Sequence, residues 1–263
     1  IPEGKVIVFK NADHIIGKKP RIINYDSDNY LRIGSTPWRL ENGALVPLNE
    51  NAMTDYTEGW SDVTPTNAFN EIEINGFVET EIIYSENRKI ITSAPEYIDI
   101  DANGSQIDID MKDGNFNFNS MNKFKIKIYT PDLIRLETDG LTKTIVSGFD
   151  QNKLDVNISG NSSLSLNNSN IQELEAEING ISTLEGFANI NDASIKVDGM
   201  SRVKGKNLTI QTLKIKIDGT SKAEVNVVKN IKGSLDGISS LSYSGKPLIE
   251  VKTSGKSEVT AIP

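Results

Sequence analysis

The chain has no cysteine and one histidine, His14, among 263 residues. The first absence removes disulfides, thiolate catalysis and cysteine-ligated zinc. The second removes histidine-rich metal sites. Any Ser-His-Asp arrangement would have to be built on His14, whose surroundings, "NADHIIG", hold no nucleophile motif. No metal and no cofactor is therefore expected. Proline is scarce at 9 residues and glycine modest at 20, a composition that is neither collagen-like nor disordered. No apolar run approaches the roughly 18 residues needed to span a bilayer. Positive charge is also in the minority: 28 Lys and Arg against 36 Asp and Glu leave a net charge of −8. That balance argues against nucleic acid or an anionic membrane as partner. The sequence begins Ile1-Pro2 rather than with Met, as a chain would after removal of an export signal.

What the chain does have is a repeated phrase. "NISGNSSLSL" from Asn157 returns as "EINGISTLEG" from Glu177, "KVDGMSRVKG" from Lys196 and "KIDGTSKAEV" from Lys216. Aligned on glycine, seven copies emerge, at Gly140, Gly160, Gly180, Gly199, Gly219, Gly237 and Gly255, spaced by 18 to 20 residues. Two residues after each glycine stands a hydroxyl: Thr142, Ser162, Ser182, Ser201, Ser221, Ser239 and Ser257.

Around each glycine the apolar residues alternate, the mark of a strand with one buried face. Two residues before it lie Thr138, Ile158, Ile178, Val197, Ile217, Leu235 and Thr253. Six before it lie Ile134, Leu154, Leu174, Ala193, Leu213, Ile231 and Ile249, and four after it Thr144, Leu164, Leu184, Val203, Ala223, Leu241 and Val259. Odd offsets are mostly Asp, Glu, Lys, Asn and Ser, and so face water. A unit this short cannot bury its apolar face alone and must stack on its neighbours. The expected fold is all-β: a right-handed parallel β-helix of about 18–20 residues per turn. The glycines would sit at a corner of each turn, where a left-handed or bulged backbone is cheap only for Gly. The hydroxyls would form an inward ladder that satisfies itself from turn to turn.

The alternating strand followed by "ISG.S", "ING.S", "VDG.S" and "IDG.S" resembles the head GIN domain family of autotransporter adhesins. "FNEIEINGFVETEII" at 69–83 and "KIKIYTPDLIRLETDG" at 125–140 look like that family's first strands and first full turn. The resemblance covers roughly residues 66–263. It implies an exported, envelope-associated bacterial β-helix, periplasmic, outer-membrane-associated or at the cell surface, and it brings no catalytic residues.

Residues 1–65 lack the glycine spacing and hold both tryptophans, Trp38 and Trp60, with Tyr25, Tyr30 and Tyr56. Extended segments such as "KVIVF", "PRIINY" and "ALVPL" mark them as a β-rich N-terminal extension or cap beside a β-helix domain at 66–263. "IDIDANGSQIDIDM" reads as a hairpin around Asn103-Gly104.

One surface column stands out as a binding candidate. The residue before the glycine is Asp198, Asp218 and Asp236 on three successive turns, like charges at strand spacing that a cation or sugar hydroxyls could compensate. The competing reading is that Asp before Gly bonds its own backbone in a turn. The functional expectation is a non-catalytic exported surface module or adhesin that binds glycan or protein. A β-helix carbohydrate-active enzyme and a self-assembling scaffold like the bactofilins are the alternatives. Because repeats run to within eight residues of Pro263, homo-oligomerisation through the C-terminal end is also expected.

Overall fold

A computed structural model describes residues 60–112 and 124–263 and, of residues 1–59, the backbone of four strands. The chain divides into two units, Ile1–Gly59 and Trp60–Pro263. In the first unit, β1 (Ile22–Asp26), β2 (Tyr30–Ile33), β3 (Thr36–Glu41) and β4 (Ala44–Pro47) pair antiparallel in chain order. His14, the "KVIVF" segment, Tyr56 and the side chains of Tyr25, Tyr30 and Trp38 lie outside the described residues.

The second unit is a parallel β-solenoid with no helix among its described residues. It opens with β5 (Ser61–Asp62), then β6 (Glu71–Gly76) and β7 (Glu79–Tyr84), which form a rung cornered at Gly76. The chain next passes to the other side of that rung through β8 (Lys89–Thr92), β9 (Ile98–Asn103), β10 (Gln106–Met111) and β11 (Lys125–Thr130). It returns in β12 (Arg135–Gly140) and β13 (Lys143–Ser147), which stack parallel on β6 and β7. β10 and β11 pair parallel with the other edges of β6 and β7, so a later stretch lies beneath an earlier one. Antiparallel β9, β8 and β5 finish that end. β9 and β10 are joined by the two-residue turn Gly104-Ser105, with Gly104 at φ +64°. A positive φ at the first turn position only is the pattern of a type II′ hairpin.

Above this base the rungs are regular. β14 (Asp150–Ile158), β15 (Ser163–Ile178), β16 (Thr183–Val197), β17 (Arg202–Ile217) and β18 (Lys222–Leu235) stack parallel, each long strand belonging to two rungs. β19 (Ser240–Ser244), β20 (Leu248–Thr253) and β21 (Glu258–Ala261) complete the series. In each rung the in–out alternation slips at three places: the glycine corner, residues such as Leu166-Asn167, and residues such as Gln172-Glu173. Those slips are the bends that close the coil.

The interior is one continuous apolar column. Ile158, Ile178, Val197, Ile217 and Leu235 are buried before the glycine, and Leu164, Leu184, Val203, Ala223 and Leu241 after it. Each buried Ile, Leu or Val contributes about 1.5–3 kcal/mol, gained only when its neighbours stack. Two positions of the sixth-before column differ from expectation. Ile134 is 44% exposed, because the chain returns one residue out of phase and Leu133 fills the interior instead. Ile249, in the last rung, is 38% exposed.

The corners explain the glycines. Gly180 has φ +77°, and a Cβ there would lie 2.4 Å from the carbonyl oxygen of Gly160. The same contact recurs rung upon rung from Gly76 to Gly255, so glycine packs on glycine through eight corners. Beside it, backbone bonds such as Ile181 N–H to Gly160 C=O at 2.9 Å tie adjacent rungs.

The serines two residues on bond to backbone and are buried from Ser162 to Ser239, with Ser257 of the last rung half-buried. Ser221 Oγ donates to the Gly199 carbonyl of the rung before at 3.2 Å and accepts the Ser201 N–H at 3.3 Å. Ser162, Ser182 and Ser257 donate in the same way, Ser239 Oγ lies 2.6 Å from the Asp236 carbonyl of its own rung and 3.5 Å from that of Gly219, and Ser201 accepts the Ser182 N–H. The ladder thus runs from hydroxyl to backbone, mostly toward the preceding rung. Thr142 Oγ1, in the first regular rung, is buried without a partner.

Candidate binding surface

On the bend away from the glycines the coil is indented. Asn168, at φ 51°, turns the chain there, a left-handed conformation that Asn tolerates better than most residues. Asp150, Asn170, Asn189 and Thr209 stack in register on successive rungs and form one wall of an open cleft of about 440 Å³. Gln172, Asn191 and Gln211 form the other wall, and buried Ile171 and Ile190 lie between. Asn189 Nδ2 donates to Asn170 Oδ1 at 2.9 Å, which fixes the two amides relative to one another. Phe187 is 37% exposed two residues before Asn189.

Apart from Asp150, the chemistry of this lining is neutral and bifunctional. Each carboxamide offers a donor and an acceptor, and the walls repeat at about the 4.8 Å strand spacing. Such a surface can read hydroxyl groups on an extended chain laid along the solenoid axis. Asp150 is the one carboxylate in the lining, whereas acid–base cleavage of a glycosidic bond uses a pair. These amides occupy the positions ten and eight residues before the glycines. The pattern was present in the sequence but was hidden by a chain rich in Asn and Ser.

The acidic column lies at the opposite corner. Asp198, Asp218 and Asp236 each turn one oxygen back to accept the N–H of the following glycine, at 2.6, 2.8 and 2.7 Å, and Asp139 does the same. The Ser254 hydroxyl of the next rung, then the Gly237 N–H, hold the Asp236 carboxyl below its ordinary range. Among the described residues no group of three or more His, Asp or Glu side chains is placed to hold a metal ion. No helix there is long and apolar enough to cross a membrane.

Stacked glycine corners, a backbone-bonded serine ladder and an open polar cleft define a β-solenoid that presents repeated surface columns. Residues 68–247 match the family described as "Putative auto-transporter adhesin, head GIN domain", and the chain belongs to that family. No curated protein matches the sequence. Among solved structures, a "putative adhesin" from Bacteroides fragilis is similar at 17% identity and TM-score 0.68, covering 77% of this chain and 96% of that one. A "putative adhesin" from Parabacteroides merdae is similar at 20% identity and TM-score 0.59, covering 78% and 95%. A "Putative lipid binding protein" from Parabacteroides distasonis is similar at 17% identity and TM-score 0.62, covering 78% and 96%. At these identities the likeness establishes the shared fold.

Proposed function

We propose that this adhesin-family protein is an exported, non-catalytic module of the cell envelope that holds a neutral polysaccharide along the amide-lined cleft. The observation that carries the reading is the run of uncharged amides on successive rungs, Asn170 with Gln172 and Asn189 with Asn191, on a surface otherwise dominated by charge. Sugars in an extended polysaccharide repeat on nearly the spacing of stacked strands, so each rung can meet one unit. Phe187 adds an apolar ring beside the cleft for a sugar face. The acidic column is read as a set of corner braces, and a calcium titration by calorimetry is expected to be silent. β20 and β21 pair on one edge only among the described residues, and Leu248 is 71% exposed there. Pairing of that edge with a further strand belongs to the same reading.

The test is retention of bacterial and host glycans by the purified chain, with chain length followed by mass spectrometry. Retention without shortening is expected, and Gln172→Ala with Asn191→Ala should abolish it while leaving the fold intact. Shortening of the polymer would replace this reading with an enzyme. Failure to retain any neutral glycan would remove the ligand class.

A further inference from the structure

The position immediately after the corner glycine breaks, on four rungs, the rule that outward positions are polar. Leu141, Ile181, Met200 and Ile238 occupy it and are 48, 53, 56 and 59% exposed, with Asn161 and Thr220 between them. At about 4.8 Å per rung these side chains form a ridge roughly 24 Å long. Isolated exposed apolar residues need no explanation, but an aligned row is the mark of an interaction surface. Nothing in the corner geometry asks for them, since turn positions favour small polar residues.

The flanks of the ridge differ in charge. Asp139, Asp198 and Asp218 stand before the glycines on one side, and Lys143, Arg202 and Lys222, three residues after the same glycines, stand on the other. Some charges elsewhere on the solenoid are paired between rungs, as in Lys196–Glu177, Lys204–Glu185 and Lys232–Glu250. These six make no ion pair among the described residues. Three rungs therefore each carry one acid and one base, unpaired, on either side of an apolar crest.

We propose that a second copy of this chain docks on this ridge, with the two solenoids parallel and related by a two-fold axis running along their length. That operator sets each position on the crest opposite itself, at the same height. It places the acidic flank of one copy against the basic flank of the other, Asp198 facing Arg202 and Asp218 facing Lys222, and the reverse. An antiparallel pair would set acid against acid and base against base on the two sides, so the charges select the parallel arrangement.

The absence of cysteine makes the test clean. Leu141→Cys and Ile238→Cys are exposed, single-site changes in the full chain. In a parallel pair each forms a disulfide-linked dimer with its own kind on mild oxidation. An antiparallel pair would link Leu141→Cys only to Ile238→Cys, and end-to-end pairing through β20 and β21 would link neither; both results overturn the proposal. Sedimentation equilibrium of the unmodified chain should show a concentration-dependent dimer. Arg202→Glu with Lys222→Glu, which leaves the crest and the corner braces in place, should weaken it about tenfold or more. A chain that stays monomeric overturns the inference, whether the ridge is bare or covered by residues 1–59 or another protein.

Discussion

Replacing Gly180 by alanine tests whether the corners are glycine because of backbone conformation or because of stacking. At φ +77° an alanine costs about 1–2 kcal/mol for the left-handed conformation alone. Its Cβ would also sit 2.4 Å from the Gly160 oxygen and 3.3 Å from the Gly160 carbon and nitrogen, all backbone atoms that no rotamer change can move. The rungs must part there, which strains the Ile181 N–H and Ser182 hydroxyl bonds to that same oxygen. Each such bond contributes about 0.5–1.5 kcal/mol. The sum is about 3 kcal/mol or more. Gly104→Ala is the control, because Gly104 has φ +64° but nothing within 4 Å of where a Cβ would stand, so only the backbone-conformational cost of a side chain at positive φ applies. Urea unfolding of both variants, with hydrogen exchange at the Ile181 amide, measures the difference. If the two substitutions cost the same, stacking contributes nothing and the argument from rung contact fails.

Buried hydroxyls should divide by their partners. Ser221→Ala removes both the bond to the Gly199 carbonyl and the acceptor for the Ser201 N–H, and should destabilise by about 1–3 kcal/mol in urea unfolding. Thr144 Oγ1 is buried without a partner, so Thr144→Val should be neutral or stabilising by the same measurement. The Asp236 carboxyl is held down first by the Ser254 hydroxyl, and its folded pKa lies below its unfolded one. Its contribution to stability is therefore present above the unfolded value near 3.8 and is lost as pH falls through the folded value. Ser254→Ala should move the carboxyl titration, followed by NMR, upward toward the ordinary range.

The regular rungs were legible because they depend on alternation, and alternation survives reading one strand at a time. The columns two before and four after each glycine follow from period two alone, and nearly all of them are interior. Gly76 was not legible as a corner. It stacks directly on Gly140 but lies 64 positions earlier, behind β8 to β11, and Val78 replaces the hydroxyl that marks the other copies. Ile134 was assigned to the interior by counting back from Gly140, and the count failed where the chain re-enters from that excursion. The corner bonds of Asp198, Asp218 and Asp236 could be named as one of two readings but not chosen, since both use the same residues. The amide cleft and the apolar ridge were both written at fixed offsets from the glycine. Neither stood out until the bends showed which offsets share a face.

The excursion also separates the two ends of the solenoid in kind. Neighbouring upper rungs join residues about twenty apart, whereas the pairing of β6 with β12 must close a loop three times as long and hold β10 beneath it. Loop closure grows only slowly with length, so the entropic difference is about 1 kcal/mol and does not forbid the arrangement. What offsets it is the packing of that base, where Ile72, Ile74, Ile107, Ile109, Ile126 and Ile128 are buried in a single cluster with the column above. The base therefore ends parallel growth with antiparallel strands on a dense apolar core, whereas at the other end β20 and β21 continue the parallel repeat, paired on one edge only among the described residues. A solenoid built in this way has one direction. A ridge with an acidic flank on one side and a basic flank on the other can then distinguish a parallel neighbour from an antiparallel one.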